Sequence, residues 1–203
     1  YVYPVHEPMP VIRGGCTCGE SNCESAGKHP RVIGGYKAGT TDPKQITTWW
    51  KRWPSANIGF DCERSKILVL DFDAPEAELT LPCVLPDTVT VATGRGKHLW
   101  FRYPTTEIKS RPIADGVDVK AHGGGCLLPP SLHHTWKRYG FVPGRSHEEI
   151  AIAEIPLELL NLLRDKKTTT HGGNGEKTKA IPTRILEGAR NATLTSLAGS
   201  LRS

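Results

Sequence analysis

The residues best suited to chemistry end the most apolar run of the chain, KILVLDFD at 66–73. Side chains at positions i and i+2 of a β-strand point to the same side, so Asp71 and Asp73 are predicted to project together while Phe72 enters the opposite layer. Paired carboxylates repel each other unless a cation lies between them, and such oxygen ligands suit Mg²⁺ or Mn²⁺. The motif indicates a divalent-metal site that can bridge to phosphate oxygens, with a solvated pair of aspartates after a strand as the alternative.

A basic glycine-rich turn, TGRGKHLWF at 93–101, is the second candidate. Its two glycines allow the backbone to approach a ligand closely, and Arg95 and Lys97 offer charge for phosphate groups. His98 is predicted to begin a strand, from which its ring can donate a hydrogen bond to a phosphate oxygen. The spacing is not that of a P-loop, and a basic turn with a structurally satisfied histidine is the alternative.

The third candidate is the segment GVDVKAHGGGCLLPPS at 116–131. Asp118 lies between two valines, an unfavourable place for an unpaired charge, so it is predicted either to share a metal with the D-x-D pair or to form a salt bridge. The glycine and proline turns are expected to shape the floor of a pocket, with Ser131 as a candidate nucleotide contact. Lys28, in GKHP, is a further candidate for binding phosphate or template, and a solvated lysine is its alternative.

Four possible metal ligands, Cys16, Cys18, Cys23 and His29, crowd into a loop with few apolar residues. We predict a structural Cys₃His zinc site, because a metal would order a loop that lacks a core of its own. The C-x-C spacing is tighter than that of ordinary zinc knuckles, which leaves free thiols as the alternative. The three remaining cysteines are predicted to be buried free thiols in a reducing cytoplasm: Cys62, Cys83 and Cys126.

The elements that must position these residues indicate an α/β (α+β) domain with a mixed sheet and a few helices. Strands are predicted for residues 1–6, NIGFDC, KILVLDFD, PDTVTVAT, KHLWFRYP, and two short runs on either side of the glycines at 123–125. TTDPKQITTWWKRW is predicted to be a helix, with Thr41 or Asp42 as its N-cap and an apolar stripe of Ile46 and three tryptophans. IPLELLNLLRD is predicted to be a closing amphipathic helix.

Composition predicts three regions: a catalytic domain at 1–165, a polar linker at 166–180, and the start of a truncated helical domain at 181–203. The formal net charge of +5 is compatible with a polyanionic partner but does not establish one. No run reaches the roughly 20 apolar residues of a membrane helix, and the first residues lack the pattern of a signal peptide. We therefore expect a cytoplasmic protein with no membrane partner.

Five segments, in this order, resemble the bifunctional DNA primase/polymerase (prim-pol) domains of the archaeo-eukaryotic primase superfamily. They are CTCG…C…GKHPR, TTDPKQITTWWKRWPSANIGF, VLDFD, TVTVATGRGKHLWFRYP and GVDVKAHGGGCLLPPS. The resemblance covers residues 1–165 and implies a split sheet with an RRM-like half. It also implies that Asp71, Asp73 and Asp118 hold two divalent ions, Mg²⁺ or Mn²⁺, and that His98 contacts the triphosphate of the incoming nucleotide.

The same resemblance implies a reaction and a set of partners. The reaction is template-dependent transfer of a nucleotide from a dNTP or NTP to a 3′-hydroxyl, with a primer and a single-stranded DNA template. The tail LEGARNATLTSLAGSLRS is similar to the helical segment that follows such domains in phage and plasmid replication proteins. A helicase domain in the same full-length protein and a bacterial host cell are therefore expected. Many relatives carry smaller residues at the positions of Arg95 and Lys97. The resemblance therefore implies the nucleotide-binding roles of these two residues less directly.

Two other functions stay open at the level of sequence. The D-x-D pattern also occurs in haloacid-dehalogenase-like phosphatases, which usually have Thr or Val where this chain has Pro75, and in glycosyltransferases. The other alternative is a non-catalytic, zinc-bearing nucleic-acid-binding module of a replication initiator.

Overall fold

The structure is a computed structural model and describes residues 1–10 and 15–164. All of them belong to one compact unit, Tyr1–Lys166. The linker predicted at 166–180 and the helical domain predicted at 181–203 lie outside the described residues. Neither helix among those residues could span a lipid bilayer.

The described elements are short strands, two α-helices, and two 3₁₀ turns at Gly35–Ala38 and Pro75–Thr80. The helices are α1 at Pro43–Arg52 and α2 at Leu157–Arg164. In chain order the strands are β1 Val2–Val5, β2 Asn57–Asp61, β3 Ile67–Phe72, β4 Thr90–Ala92, β5 Lys97–Arg102, β6 Arg111–Ala114, β7 Val117–Lys120, β8 Gly125–Leu128 and β9 Gly140–Phe141.

Helix α1 begins where its capping signals predict. The Asp42 carboxylate accepts a hydrogen bond from the backbone N–H of Lys44 at 3.0 Å, which satisfies one of the free donors of the first turn. Pro43 occupies the first helical position, where its missing N–H costs nothing. Asp42, rather than Thr41, is therefore the N-cap.

The strands form two sheets, a smaller one in the order β1-β2-β8 and a larger one in the order β6-β7-β3-β5-β4-β9. Every pair of named strands in the described residues is antiparallel, which differs from the mixed sheet that the sequence predicted. Parallel pairing appears as isolated bridges, Phe101 with Ala153 and Lys109 with His122. Two of these pairs, β4 with β5 and β6 with β7, are joined by short hairpin connections, which require antiparallel pairing.

Strand β3 lies in the middle of the larger sheet and is buried on both faces, as its continuous apolar run predicts. Leu70 and Phe72 pack on one face with Leu159 of helix α2. Val69 packs on the other face against the smaller sheet, where it meets Phe60. Asp71 follows Val69 on that second face. The polar end of β3 therefore opens at the edge of the apolar layer between the two sheets.

Candidate active site

Strand register aligns three of the predicted site residues across the larger sheet. Asp71 of β3 is opposite His98 of β5 on one side and opposite Asp118 of β7 on the other. Directly opposed residues of neighbouring strands face the same side of a sheet, about 4.5–5.5 Å apart. Antiparallel pairing thus brings together side chains that lie far apart in the sequence.

Asp73 joins this row from just beyond the strand. Strand β3 ends at Phe72, and the backbone N–H of Asp73 donates to the carbonyl of Gly116 at 2.9 Å. The side chain of Phe72 is fully buried in the opposite layer, as predicted. One cleft, called the carboxylate cleft below, is lined by Asp71, Asp73, Thr93, Arg95, His98, His133, Tyr139 and Lys28, with Phe72.

The buried His98 and the half-buried Asp71 form a pair at the floor of this cleft. His98 Nε2 lies 3.3 Å from Asp71 Oδ1. Burial opposes ionisation of both groups, but the hydrogen bond and the opposite charge outweigh it. The pKa of Asp71 is therefore lowered, with help from Lys120 and Lys28, and the pKa of His98 is raised. His98 Nδ1 is buried, and within the described residues it has no hydrogen-bond partner.

Asp118 is paired as its salt-bridge alternative predicted. Its Oδ2 lies 2.6 Å from Nζ of Lys120, two residues along the same strand. Lys120 also lines a cavity of about 180 Å³ together with Asp71 and His98. The sequence interpretation missed this lysine, although the period of two along VDVK places it on the face of Asp118. The acidic row thus contains a cation of its own.

The basic residues predicted to bind nucleotide divide into two groups. Arg95 and Lys28 line the carboxylate cleft, and an Arg95 guanidinium nitrogen lies 3.2 Å from His134 Nε2. Lys97 lies on the opposite face of β5, where its ammonium pairs with Glu78 and lies 5.7 Å from the centre of the Phe72 ring. The structure therefore brings Arg95 and Lys28 to the carboxylates and leaves Lys97 behind the sheet.

Ser131 is buried away from the residues that line the cleft. Its hydroxyl accepts a hydrogen bond from the backbone N–H of Ile58 at 2.9 Å, which ties the turn after β8 to strand β2. A nucleotide contact by Ser131, like one by Lys97, requires these bonds to change.

The basic turn approaches its neighbours so closely that its two glycines are required. A Cβ on Gly94 would lie 2.0 Å from His133 Nδ1, and one on Gly96 would lie 1.9 Å from the carbonyl oxygen of Phe72. His133 and Tyr139 complete the cleft wall, with their ring centres 6.0 Å apart. Both come from a loop without a motif, and no sequence signal singled them out.

The loop at 16–29 assembles its four predicted ligands. The ligand atoms of Cys16, Cys18, Cys23 and His29 all lie within 4.8 Å of one another. His29 Nε2 is 3.3 Å from Cys16 Sγ and 3.4 Å from Cys23 Sγ. A tetrahedral zinc with ligands at about 2.0–2.3 Å requires S···N separations of about 3.5 Å, so the arrangement fits zinc.

Cys16, the buried cysteine of this cluster, has an environment that favours its thiolate form. Burial raises the pKa of the Cys16 thiol, but backbone hydrogen bonds from Cys18 and Gly27 and one from His29 together lower it to about 7. A thiolate is the form that binds zinc. Outside this cluster, Cys62 and Cys126 are buried free thiols as predicted, and Cys83 is partly exposed.

The cleft thus brings Asp71 and Asp73 together with Arg95 and Lys28. Carboxylates are ligands that suit divalent cations, and cationic side chains suit phosphate groups. The family model described as "Bifunctional DNA primase/polymerase, N-terminal" matches residues 2–158, and the chain belongs to this family. None of the curated proteins matches the chain. Family membership indicates a nucleotidyltransferase-type enzyme with DNA primase/polymerase activity, which acts on DNA and nucleotides.

Proposed function

We propose that this domain catalyses attack of a primer 3′-hydroxyl on the α-phosphate of a dNTP or NTP, directed by a single-stranded DNA template. The observation that carries the proposal is the row of His98, Asp71 and Asp118 across three strands, with Asp73 in the same cleft as Asp71. In a prim-pol family member, such a row supports a centre for nucleotidyl transfer.

Asp71 and Asp73 of the cleft, with Asp118 opposite Asp71 on the next strand, suit two Mg²⁺ or Mn²⁺ ions, since both prefer carboxylate oxygen ligands. Asp71, Asp73 and Asp118 would hold them. When bound, such ions lower the pKa of the attacking hydroxyl and stabilise the charge on the departing pyrophosphate. For Asp118 to serve, its carboxylate must bind the ion beside the ammonium of Lys120, which pairs with Oδ2 on the same strand face.

The remaining polar groups of the cleft are suited to the triphosphate. The hydrogen bond to Asp71 raises the pKa of His98 against the effect of burial and so favours the charged imidazole, which attracts phosphate oxygens. Arg95 and Lys28 line the same cleft and add two cationic groups. These three residues orient the leaving phosphates, while the carboxylates hold the reacting end of the nucleotide.

The partners follow from the family and from the resemblance of the tail. A DNA template and a primer are the polymeric substrates, and a helicase domain would belong to the same full-length protein in a phage or plasmid replication system. The Cys₃His site would serve as a structural zinc centre, since all of its ligand positions are filled by the protein.

A template-dependent incorporation assay tests the proposal. Labelled dNTPs or NTPs are supplied with single-stranded DNA, with and without primer, in Mg²⁺ or Mn²⁺. The wild type is compared with the double variant Asp71→Asn/Asp73→Asn, which keeps side-chain size but removes both charges. Asp42→Asn is the matched control, because Asn is an equally good N-cap on α1.

Incorporation that requires template and a divalent ion, and that the double variant loses by at least about 10³-fold, is the expected result. Undiminished incorporation by the double variant contradicts the assignment. DNA binding without incorporation, indifferent to metal and to the aspartates, would instead identify a non-catalytic replication module. Phosphate release or sugar transfer without template would identify the D-x-D phosphatase or glycosyltransferase alternative.

A further inference from the structure

His133 is held in the wall of the carboxylate cleft in one orientation. Its Nδ1 accepts a hydrogen bond from the backbone N–H of Thr135 at 3.2 Å and lies 2.8 Å from the Thr135 hydroxyl. The ring also sits directly over Gly94, where any Cβ would collide with it. The His133 rotamer is therefore fixed by Thr135 on one side and by the backbone of Gly94 on the other.

The same contacts decide which ring nitrogen of His133 carries the hydrogen. Because Nδ1 accepts from a backbone N–H, the neutral ring must be protonated at Nε2. Burial, together with the charges of His134, Lys28 and Arg95, lowers the pKa of His133 to about 4, so the ring is neutral near pH 7. Among the described residues, no hydrogen bond reaches Nε2. His133, which lines the cleft, thus keeps an unused, uncharged N–H donor.

A buried amide connects this histidine to Lys28. Asn57 Nδ2 donates to the carbonyls of Gly27 at 2.9 Å and Leu132 at 2.8 Å. Its Oδ1 accepts from the backbone N–H of Leu132 at 2.7 Å. Gly27 and Leu132 directly precede Lys28 and His133 in the sequence. One side chain therefore fixes the backbone at the base of both cleft residues.

We propose that His133 and Lys28, with their backbones held by Asn57, form a triphosphate-binding wall of the carboxylate cleft. The inference rests on the proposed function, which places an incoming nucleotide beside Asp71 and Asp73. Lys28 supplies charge, and His133 donates from Nε2 to a non-bridging phosphate oxygen without adding a charge that would repel divalent cations. Asn57 is a positioning residue, since it acts through the backbone of its neighbours.

Nucleotide binding by the full chain tests this wall directly. A non-hydrolysable dNTP with an imido group between its α- and β-phosphates is titrated in Mn²⁺, and template affinity is measured separately by fluorescence anisotropy. His133→Leu removes the donor at similar size, whereas His133→Gln retains an N–H at the side-chain end. Lys28→Met removes the cation, and Lys44→Met is the matched control on the exposed face of α1.

His133→Leu and Lys28→Met are each expected to weaken nucleotide binding about tenfold and to raise the KM for nucleotide more than they lower kcat. His133→Gln should recover most of this loss, and Lys44→Met should change nothing. Asn57→Asp, which loses both amide donors, should also raise the KM for nucleotide. If circular dichroism shows that Asn57→Asp does not fold, the His133 and Lys28 variants alone test the proposed wall.

Two results overturn the wall. The first is a nucleotide affinity that stays at the wild-type value in both His133→Leu and Lys28→Met. The second is a loss of template affinity while nucleotide affinity stays intact, which would make these residues template contacts. In either case, incorporation by the wild type leaves the proposed function standing. Conversely, an inactive wild type overturns the proposed function, while the binding titration still decides the wall.

Discussion

The ammonium of Lys120 lies 2.6 Å from a carboxylate oxygen of Asp118 in the row that also contains Asp71. Burial works to lower the pKa of Lys120, but the hydrogen bond that Lys120 donates to Asp118 and the charges of Asp118 and Asp71 raise it, so the side chain stays charged. A lysine therefore neutralises part of the acidic row at the position where a metal ligand is proposed. Metal binding and this ion pair compete for one carboxylate.

We expect Lys120→Met to strengthen Mn²⁺ binding in the absence of nucleotide. Two unit charges about 4 Å apart interact by about 4 kcal/mol at an effective dielectric constant of about 20. Asp118 is 37% exposed, so solvent screening reduces this interaction. A gain in Mn²⁺ affinity of roughly tenfold is the expected result, equivalent to about 1.4 kcal/mol.

Electron paramagnetic resonance of free Mn²⁺ measures this affinity directly. Lys109→Met provides the control, because Lys109 is exposed and outside the residues that line the cleft. An affinity that is unchanged or weaker in Lys120→Met would show that Asp118 does not bind the ion.

Asp71→Asn is expected to lower the pKa of His98. With the carboxylate removed, burial is the dominant influence on the imidazole, and burial disfavours the charged ring. NMR titration of the His98 ring protons measures the change. Asp42→Asn, on the surface helix α1, should leave the His98 titration where it is in the wild type. An unaltered His98 pKa in Asp71→Asn would contradict the pairing.

The same pair makes stability depend on pH. Because the folded pKa of His98 is raised, its contribution is complete below the unfolded value of about 6.5 and is lost as the pH rises through the folded value. Because the folded pKa of Asp71 is lowered, its contribution is complete above about 3.9 and is lost as the pH falls through the folded value.

Asp71→Asn should therefore reduce the free energy of unfolding most between about pH 4 and 6.5. The reduction should shrink as the pH rises through the folded pKa of His98. Urea unfolding at pH 5 and pH 9 checks this, and an equal reduction at both values would show that the carboxylate acts without His98.

Local periodicity accounts for the part of the site that the sequence predicted. The apolar run before Asp71 made β3 a central strand, and alternation along the strand separated Phe72 from the aspartates. The same alternation contained a signal that the interpretation did not use. Lys97 and His98 are adjacent on β5 and must face opposite sides, so both cannot serve one cleft directly from the strand.

Long-range contacts explain what the sequence could not predict. His133 reaches the cleft because Asn57 binds Leu132, a contact across 75 residues. No local pattern encodes such a pairing. Strand β6 was missed for a different reason: Pro112 argues against a strand within a sheet, and β6 escapes this rule because it is an edge strand with an irregular register.

Cys16→Ser is expected to lower both zinc content and stability. The loop at 16–29 has few apolar residues, so metal binding contributes much of the free energy that orders it. Metal analysis of the purified wild type should find one zinc per chain, and chelation should lower its Tm. Cys83→Ser is the matched control, because Cys83 lies outside the cluster. Zinc content and Tm equal to those of the wild type in Cys16→Ser would contradict a Cys₃His site.

Gly96→Ala is expected to disrupt the site through the backbone. The new Cβ would lie 1.9 Å from the carbonyl oxygen of Phe72, so β3 and the turn must separate at the point where Asp73 leaves the strand. Overpacking against backbone should cost at least about 2 kcal/mol, a fall in Tm of roughly 5 °C or more. Mn²⁺ affinity should fall as well, because the two aspartates would no longer share one cleft.

Gly140→Ala is the matched control for this change. A Cβ at Gly140 meets no atom within 4 Å. The free energy of unfolding of Gly140→Ala should therefore stay within about 0.5 kcal/mol of the wild-type value. Thermal unfolding and Mn²⁺ titration of both variants separate a general cost of losing a glycine from the specific contact. If Gly96→Ala matched Gly140→Ala in both measurements, the close approach of the basic turn to Phe72 would not be what holds Asp73 beside Asp71.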